Sequence, residues 1–368
     1  MDNIVAALNY TDRVCQILFI HEDLEIFLAA MQRPFPELTV LQLSSNGTVP
    51  VVLDSLLGGS APHLELLYFS GIPFPGLPKL LLSATHLVSL NLLNIPHSGY
   101  ISPDGMVTAL STLTNLDFLS LQFKSPRSCP DRASRRLLPS TRSVLPTLTT
   151  FEFKGVGEYL EDLVSCIDSP QLHHLSITLF NDITFDTPQL VQFINRTPTP
   201  NALEEANIFL LSGQAQVRFE SKIFDNFDYS KFRLKVKIKC KGLDWQVSSL
   251  EQVCTSCLPP FCVGNLYIRN LRSQRDWKDS IENALWLELL RPFSAVKNLY
   301  LSEGVASHIA SALQELCVEG RTTEVLPTLQ NIFLQGPESS VPVQEGIGQF
   351  VDARQVVGYS IAVSRWTD

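Results

Sequence analysis

Two cysteines three residues apart, Cys254-Thr-Ser-Cys257, with Cys262 close behind, have a spacing at which thiolates grip zinc or form a redox pair. A structural zinc site needs four ligands, and no second Cys or His pair follows at matched spacing. Cys254 and Cys257 also fall on the apolar stripe of a helical stretch, where a thiol packs as a small hydrophobe. His173-His174 is the next candidate. Adjacent residues of a strand point to opposite faces, so these two rings cannot chelate one ion together. His174 is expected on the open face and His173 at the turn into the core. The carboxylates Glu158, Glu161 and Asp162 have the spacing of a solvated helix face. The sequence holds no glycine-rich phosphate loop, serine nucleophile elbow or helical HExxH. No catalytic residue, cofactor or metal is expected, and the chain reads as a non-enzyme.

Charge narrows the partners. The segment 124–144 carries Lys124, Arg127, Arg132, Arg135, Arg136 and Arg142 against a single acid, Asp131, and reads as a basic Ser/Pro/Arg-rich loop. The whole chain is acidic, with a formal net charge of −9. Phosphate binding needs a surplus of Lys and Arg, so neither nucleic acid nor an anionic membrane is the expected partner. Apolar residues make up 45% and charged residues 18%, which excludes a disordered chain. The eight cysteines are thinly spread and lie mostly in apolar runs, as in a reducing compartment. MDNIVAALNYTDRV has no basic stretch followed by an apolar one, and no apolar run reaches membrane-spanning length. A cytoplasmic or nuclear protein is expected.

The elements that position these residues come from a repeat. The pattern apolar-x-x-apolar-x-apolar occurs as VCQILF from Val14, LTVLQL from Leu38, LELLYF from Leu64, LVSLNL from Leu87 and LDFLSL from Leu116. It continues as LTTFEF from Leu148, LHHLSI from Leu172 and LEEANI from Leu203, then VGNLYI from Val263, VKNLYL from Val296 and LQNIFL from Leu329. Successive anchors are 23 to 33 residues apart, with one gap of 60. That gap reads as two units, with FRLKVKIK as the strand between them and an irregular insertion at 210–231, either an extra hairpin or a bend in the stack. A short strand with one apolar face cannot bury it alone, whereas stacked strands form a parallel sheet whose crossovers are helices. EDLEIFLAAMQ, GEYLEDLVSCI, QVSSLEQVCTSCL, SIENALWLELLRPF and SHIASALQELCV show the apolar spacing of such helices. Pro36, Pro62, Pro146, Pro170 and Pro327 each stand two residues before an anchor, where proline holds an extended lead-in and stops the preceding helix. The expected fold is an α/β leucine-rich-repeat solenoid, a horseshoe of about twelve strand–helix units with a parallel concave sheet, forming a single domain over 1–368. Limited proteolysis is expected to cut first within 124–144 and then near 210–231. Early cleavage inside 87–92 would refute the strand assignment.

Outward positions of the last regular strands repeat every 33 residues and so should stack in register. One column is Asn265, Asn298 and Asn331; the next is Tyr267, Tyr300 and Phe333. Lys235, Lys237 and Lys239 point outward from FRLKVKIK and are expected to flank them. Aromatics bury much area at little entropic loss, Asn offers donor and acceptor to a peptide backbone, and Lys attracts an acidic target. These nine residues form the candidate protein-binding surface. The competing reading is that like residues stack on one another and stabilise the sheet.

Several phrases carry a resemblance: DWQVSSLEQVCTSCLPP from Asp244, VLPTLQNIFLQG from Val325, EGIGQFVDARQ from Glu345, and the ending IAVSRW. They resemble the expanded F-box leucine-rich-repeat proteins of basidiomycete fungi over essentially the whole chain. The resemblance implies repeats that present a target while an N-terminal F-box docks the Skp adaptor of a cullin-RING ubiquitin ligase. An F-box is a helical segment opening with Leu-Pro, and the residues before Val14 hold no such cluster. The chain as given is therefore expected not to bind the Skp adaptor or cullin unless an F-box lies upstream. The expected function is a protein-recognition module like the substrate-receptor part of such a ligase, or else a stand-alone scaffold or decoy.

Overall fold

A computed structural model of the chain describes residues 2–21, 24–45, 47, 55–74, 77–128, 142–180, 187–197, 203–221, 233–240, 242–257, 263–271, 281–336 and 341–366. The chain divides into two compact units, residues 1–180 with 187–198 and residues 181–186 with 199–368. The expectation of one domain over 1–368 concerns whether these unfold together, which a single urea transition seen alike by several probes would establish.

In the first unit seven strands lie side by side in one parallel sheet. They are β1 (Gln16–Ile20), β2 (Val40–Ser44), β3 (Leu66–Ser70), β4 (Ser89–Ile95), β5 (Phe118–Phe123), β7 (Thr150–Gly155) and β9 (His174–Phe180). Two short strands, β6 (Ser143–Val144) and β8 (Ile167–Asp168), pair separately. After β1, each sheet strand starts two residues past its anchor leucine, and those anchors are fully buried or nearly so. One carbonyl per repeat then accepts two N–H groups from the next: Thr39 O takes those of Glu65 and Leu66, and Glu65 O those of Val88 and Ser89. Apolar residues alternate into the core, as in the row Leu67, Leu90, Leu119, Phe151 and Leu175.

The helices of this unit are α1 (Asp2–Ala7), α2 (Glu25–Ala30), α3 (Leu77–Leu81), α4 (Pro103–Leu110), α5 (Gly157–Ser165) and α6 (Pro188–Arg196). Ser102 caps α4, its hydroxyl accepting from Gly105 N, and Pro103 supplies a first-turn residue with no N–H to satisfy. Glu161 departs from the expected solvated face. Its carboxylate accepts from Gln189 N (2.9 Å) and Leu190 N (2.8 Å), capping the start of α6. Arg196 at the other end of α6 pairs with Asp168 at 2.6 Å.

The second unit has α7 (Leu243–Cys257), α8 (Asn283–Leu290), α9 (Glu303–Val318) and α10 (Val341–Val356), each packed on the next. Its strands are β10 (Glu205–Leu211), β11 (Gln214–Glu220), β12 (Arg233–Lys239), β13 (Asn265–Asn270), β14 (Asn298–Leu301), β15 (Asn331–Gln335) and β16 (Ala362–Trp366). Their spatial order is β12-β11-β10-β13-β14-β15-β16. Here the sequence reading needs correction. The 60-residue gap is not two regular units, because β10 pairs in parallel directly with β13. The intervening chain instead folds back as β11 and β12, each antiparallel to its neighbour. Residues 214–220 of the expected irregular insertion are thus regular strand, and cleavage there is not expected; 222–232 lie outside the described residues. A two-residue turn joins β10 to β11, with Gly213 at φ 79°, a left-handed backbone that glycine adopts without strain.

Strand–helix repeats with parallel, in-register sheets make this the leucine-rich-repeat solenoid architecture, apart from the antiparallel insertion. The threonine of each LPTL phrase has a structural role. Thr147 Oγ1 donates to Thr114 O and Leu116 O, and Thr328 Oγ1 to Ser294 O and Val296 O, tying each strand to the repeat before it.

Candidate protein-binding face

Alternation along β13 to β16 sends Leu266, Ile268, Leu299, Leu301, Ile332 and Leu334 into the core. Their neighbours form an open face. Pairing places Asn265 beside Asn298 and Asn298 beside Asn331, and likewise Tyr267 beside Tyr300 and Tyr300 beside Phe333. Both expected columns are therefore present, and every member is half-buried.

The Asn column is a hydrogen-bonded ladder. Asn298 Nδ2 donates to Asn265 Oδ1 and Asn331 Nδ2 to Asn298 Oδ1, both at 2.7 Å; Asn265 Nδ2 donates to Glu205 Oε1 at 3.4 Å. An amide carries two N–H groups and two lone pairs, so this ladder uses only part of each side chain's capacity. The ring column is a stack: Tyr267 and Tyr300 lie 4.2 Å apart at 13°, Tyr300 and Phe333 4.4 Å apart at 8°. Ring faces are thus turned to one another. Trp366 of β16 meets Tyr300 and Tyr267 edge-on at 5.6 and 6.1 Å, its Nε1 donating to Leu301 O. The Arg269 guanidinium lies 5.3 Å from Trp366, 5.4 Å from Tyr267 and 5.8 Å from Phe209, within cation–π range of all three rings. Burial raises the Tyr267 pKa far above the usual phenol range, with Glu205 and Tyr300 adding to it against Arg269. Tyr267 is accordingly a neutral phenol throughout the physiological range.

The lysines sit elsewhere than expected. Lys235 pairs with Arg218 and Lys237 with Gln216 on β11; β11 pairs with β10, and of these three strands it is β10 that pairs with β13. Lys235, Lys237 and Lys239 therefore lie three strands from the ring column on the same sheet, rather than beside it. The sequence reading missed Phe209, Arg218, Arg269 and Trp366. A signal existed for the first two: NIFLL and QAQVRF alternate on either side of Ser212-Gly213, the mark of a hairpin.

The other chemical candidates are placed as follows. Cys254 is buried on α7, while Cys129, Cys262 and the Cys257 side chain lie outside the described residues. His174 begins β9 on the open side of the first sheet beside Thr150, and His173 precedes it with Nδ1 buried. Among the described residues no three His, Cys, Asp or Glu side chains are grouped to hold a metal, and no helix is long and apolar enough to cross a membrane. Of the basic loop, Arg132, Arg135 and Arg136 lie outside the described residues; Arg142 Nε donates to Ser165 O.

No family model and no curated protein matches the sequence. Among solved structures, the leucine-rich-repeat-containing protein LegL7 from Legionella pneumophila is similar, with 12% identity over 90% of this chain and 97% of that one, at a TM-score of 0.32. The repeat assignment rests on this chain's own strand register and core.

Proposed function

We propose that the chain is a non-catalytic protein-recognition module that binds its target on the open face of β13 to β16. We assign it further to the target-binding portion of a cullin-RING ubiquitin-ligase substrate receptor, a role supported by the phrases that resemble the F-box repeat proteins. The observation that carries recognition is the pairing of an aromatic stack with a partly satisfied amide ladder on a half-buried face. Aromatic edges supply apolar contact, and the spare amide groups suit the backbone of an extended segment. Self-stacking explains the order of the columns, and mutation separates that use from recognition.

Stacking is worth about 0.5–1.5 kcal/mol per aromatic pair, so a Tyr267→Ala/Tyr300→Ala variant is expected to stay folded. Affinity purification of this variant and the native chain, with and without cullin inhibition, is the test. Recognition predicts loss of partners at near-native stability. A ligase role, which requires an F-box upstream of these residues, further predicts that targets accumulate on the native chain when the cullin is blocked. Partners indifferent to cullin inhibition point to a stand-alone scaffold or decoy. If the variant melts much earlier yet keeps every partner, the columns are structural and the face is misassigned.

A further inference from the structure

We infer that the segment recognised by this face is acidic at one end and apolar at the other, and runs across the strands. This rests on the recognition reading above and adds the chemistry of the partner. The strand register supplies the polarity. One transverse row reads Lys235, Arg218, Asn207, Tyr267, Tyr300 and Phe333 through six paired strands. The next runs Lys237, Gln216, Phe209 and Arg269, with Trp366 further along the same face. The fold-back of β11 and β12 thus sets a cationic half beside the aromatic half.

Among the described residues of β10 to β12, the open face carries five cations, Arg233, Lys235, Lys237, Lys239 and Arg218, and two carboxylates, Glu205 and Glu220, of which Glu220 lies 3.5 Å from Arg218. Within a chain of net charge −9 this is a local reversal of sign, which attracts and orients an anionic partner. From Lys235 to Phe333 is five strand steps, about 24 Å at the usual spacing, which an extended peptide of about seven residues covers.

A single-stranded nucleic acid is the other anionic candidate, and the geometry disfavours it. Bases bind by stacking on ring faces. Here the faces within the stack are turned to one another at 4.2 and 4.4 Å, so the central ring, Tyr300, offers a base no free face. An amide ladder beside the rings suits a peptide main chain instead.

The experiment is to pan a displayed random twelve-residue peptide library on the immobilised full-length chain. Enriched peptides are then synthesised, and their affinities measured by fluorescence anisotropy at low and high salt. The expected result is an Asp/Glu cluster followed about four to seven residues later by an aromatic or large aliphatic residue. Affinity should fall about tenfold or more in Lys235→Glu/Lys237→Glu and as salt is raised. It should also fall in Tyr267→Ala/Tyr300→Ala, with each variant's folding confirmed by urea denaturation. Neutral or basic peptides that depend on the tyrosines but not the lysines would overturn the acidic partner and leave the recognition reading standing. Peptides indifferent to both variants, or no enrichment at all, would overturn both. Binding of an oligothymidine tighter than that of any peptide, and lost in the lysine variant, would put nucleic acid in the peptide's place.

Discussion

Arg354→Met is expected to lower the stability of the second unit by about 3 kcal/mol, although it keeps most of the side chain's apolar stem. Arg354 on α10 is fully buried, between the rings of Phe350 (5.2 Å) and Tyr359 (5.5 Å). Its guanidinium donates to Leu326 O at 2.7 Å, Val325 O at 3.0 Å and Pro327 O at 3.4 Å. Burial lowers its pKa, yet guanidinium starts so high that it remains charged. The three carbonyls belong to the lead-in of β15, where Leu326 is held at φ 47°, a backbone that a leucine rarely adopts. Methionine fills the space and donates nothing, so Val325 O loses its donor, at about 1–3 kcal/mol before relaxation, and Leu326 O keeps only Leu329 N. The measurement is the urea midpoint at constant slope. Arg365→Met, at an exposed position on β16, is the control and should leave the midpoint unchanged. Equal midpoints for both variants would mean that the lead-in finds other donors.

Leu299→Ala should cost about 2–5 kcal/mol, the range for a leucine that leaves a cavity in a packed core. Leu299 is fully buried in the row Leu266, Leu299, Ile332 and Val363. Two comparisons make the result specific. Val363 ends the same row at 47% exposure, so Val363→Ala should cost well under half as much. Tyr300→Ala, one residue along and on the opposite face, removes ring stacking but opens no core cavity and should cost about 1–2 kcal/mol. Similar losses at positions 299 and 300 would mean that the faces do not alternate as described.

Most of the sheet was legible because its signal repeats. A single apolar-x-x-apolar-x-apolar match is weak, but its recurrence fixed where strands such as β2, β3 and β13 begin. The 33-residue period from Asn265 to Asn331 fixed the register of both columns. What escaped lacks a repeat. Strand β11 has polar residues on its open side and no leucine lead-in, so the sequence offered it only as one of two readings, an extra hairpin or a bend. β16 is a terminal strand with four of five residues exposed, and burial left no pattern to read. Arg354 escaped for a different reason. Buried positions of α10 fall at Val343, Ile347, Phe350 and Arg354, so the arginine continues an apolar stripe. A charge is assigned to solvent by default, and the carbonyls that offset its burial lie 27 to 29 residues away. Gly346, in the same phrase, is explained by packing: a Cβ there would meet the Ala310 carbonyl oxygen at 3.1 Å, so α10 can approach α9 closely.

The edge-on seating of Trp366 against Tyr300 and Tyr267, with a guanidinium 5.3 Å from its ring, has a photophysical consequence. Indole emission shifts with the polarity and nearby charge around the ring, and neighbouring tyrosines pass excitation energy to it. Trp286, by contrast, is sealed in the core, and Trp245 is half-exposed on α7 away from this face. If a ligand lands on this face, the chain carries its own lamp beside it: an emission change seen in the native chain and lost in Trp366→Phe, with Trp245, Trp277 and Trp286 common to both, reports occupancy without any attached label.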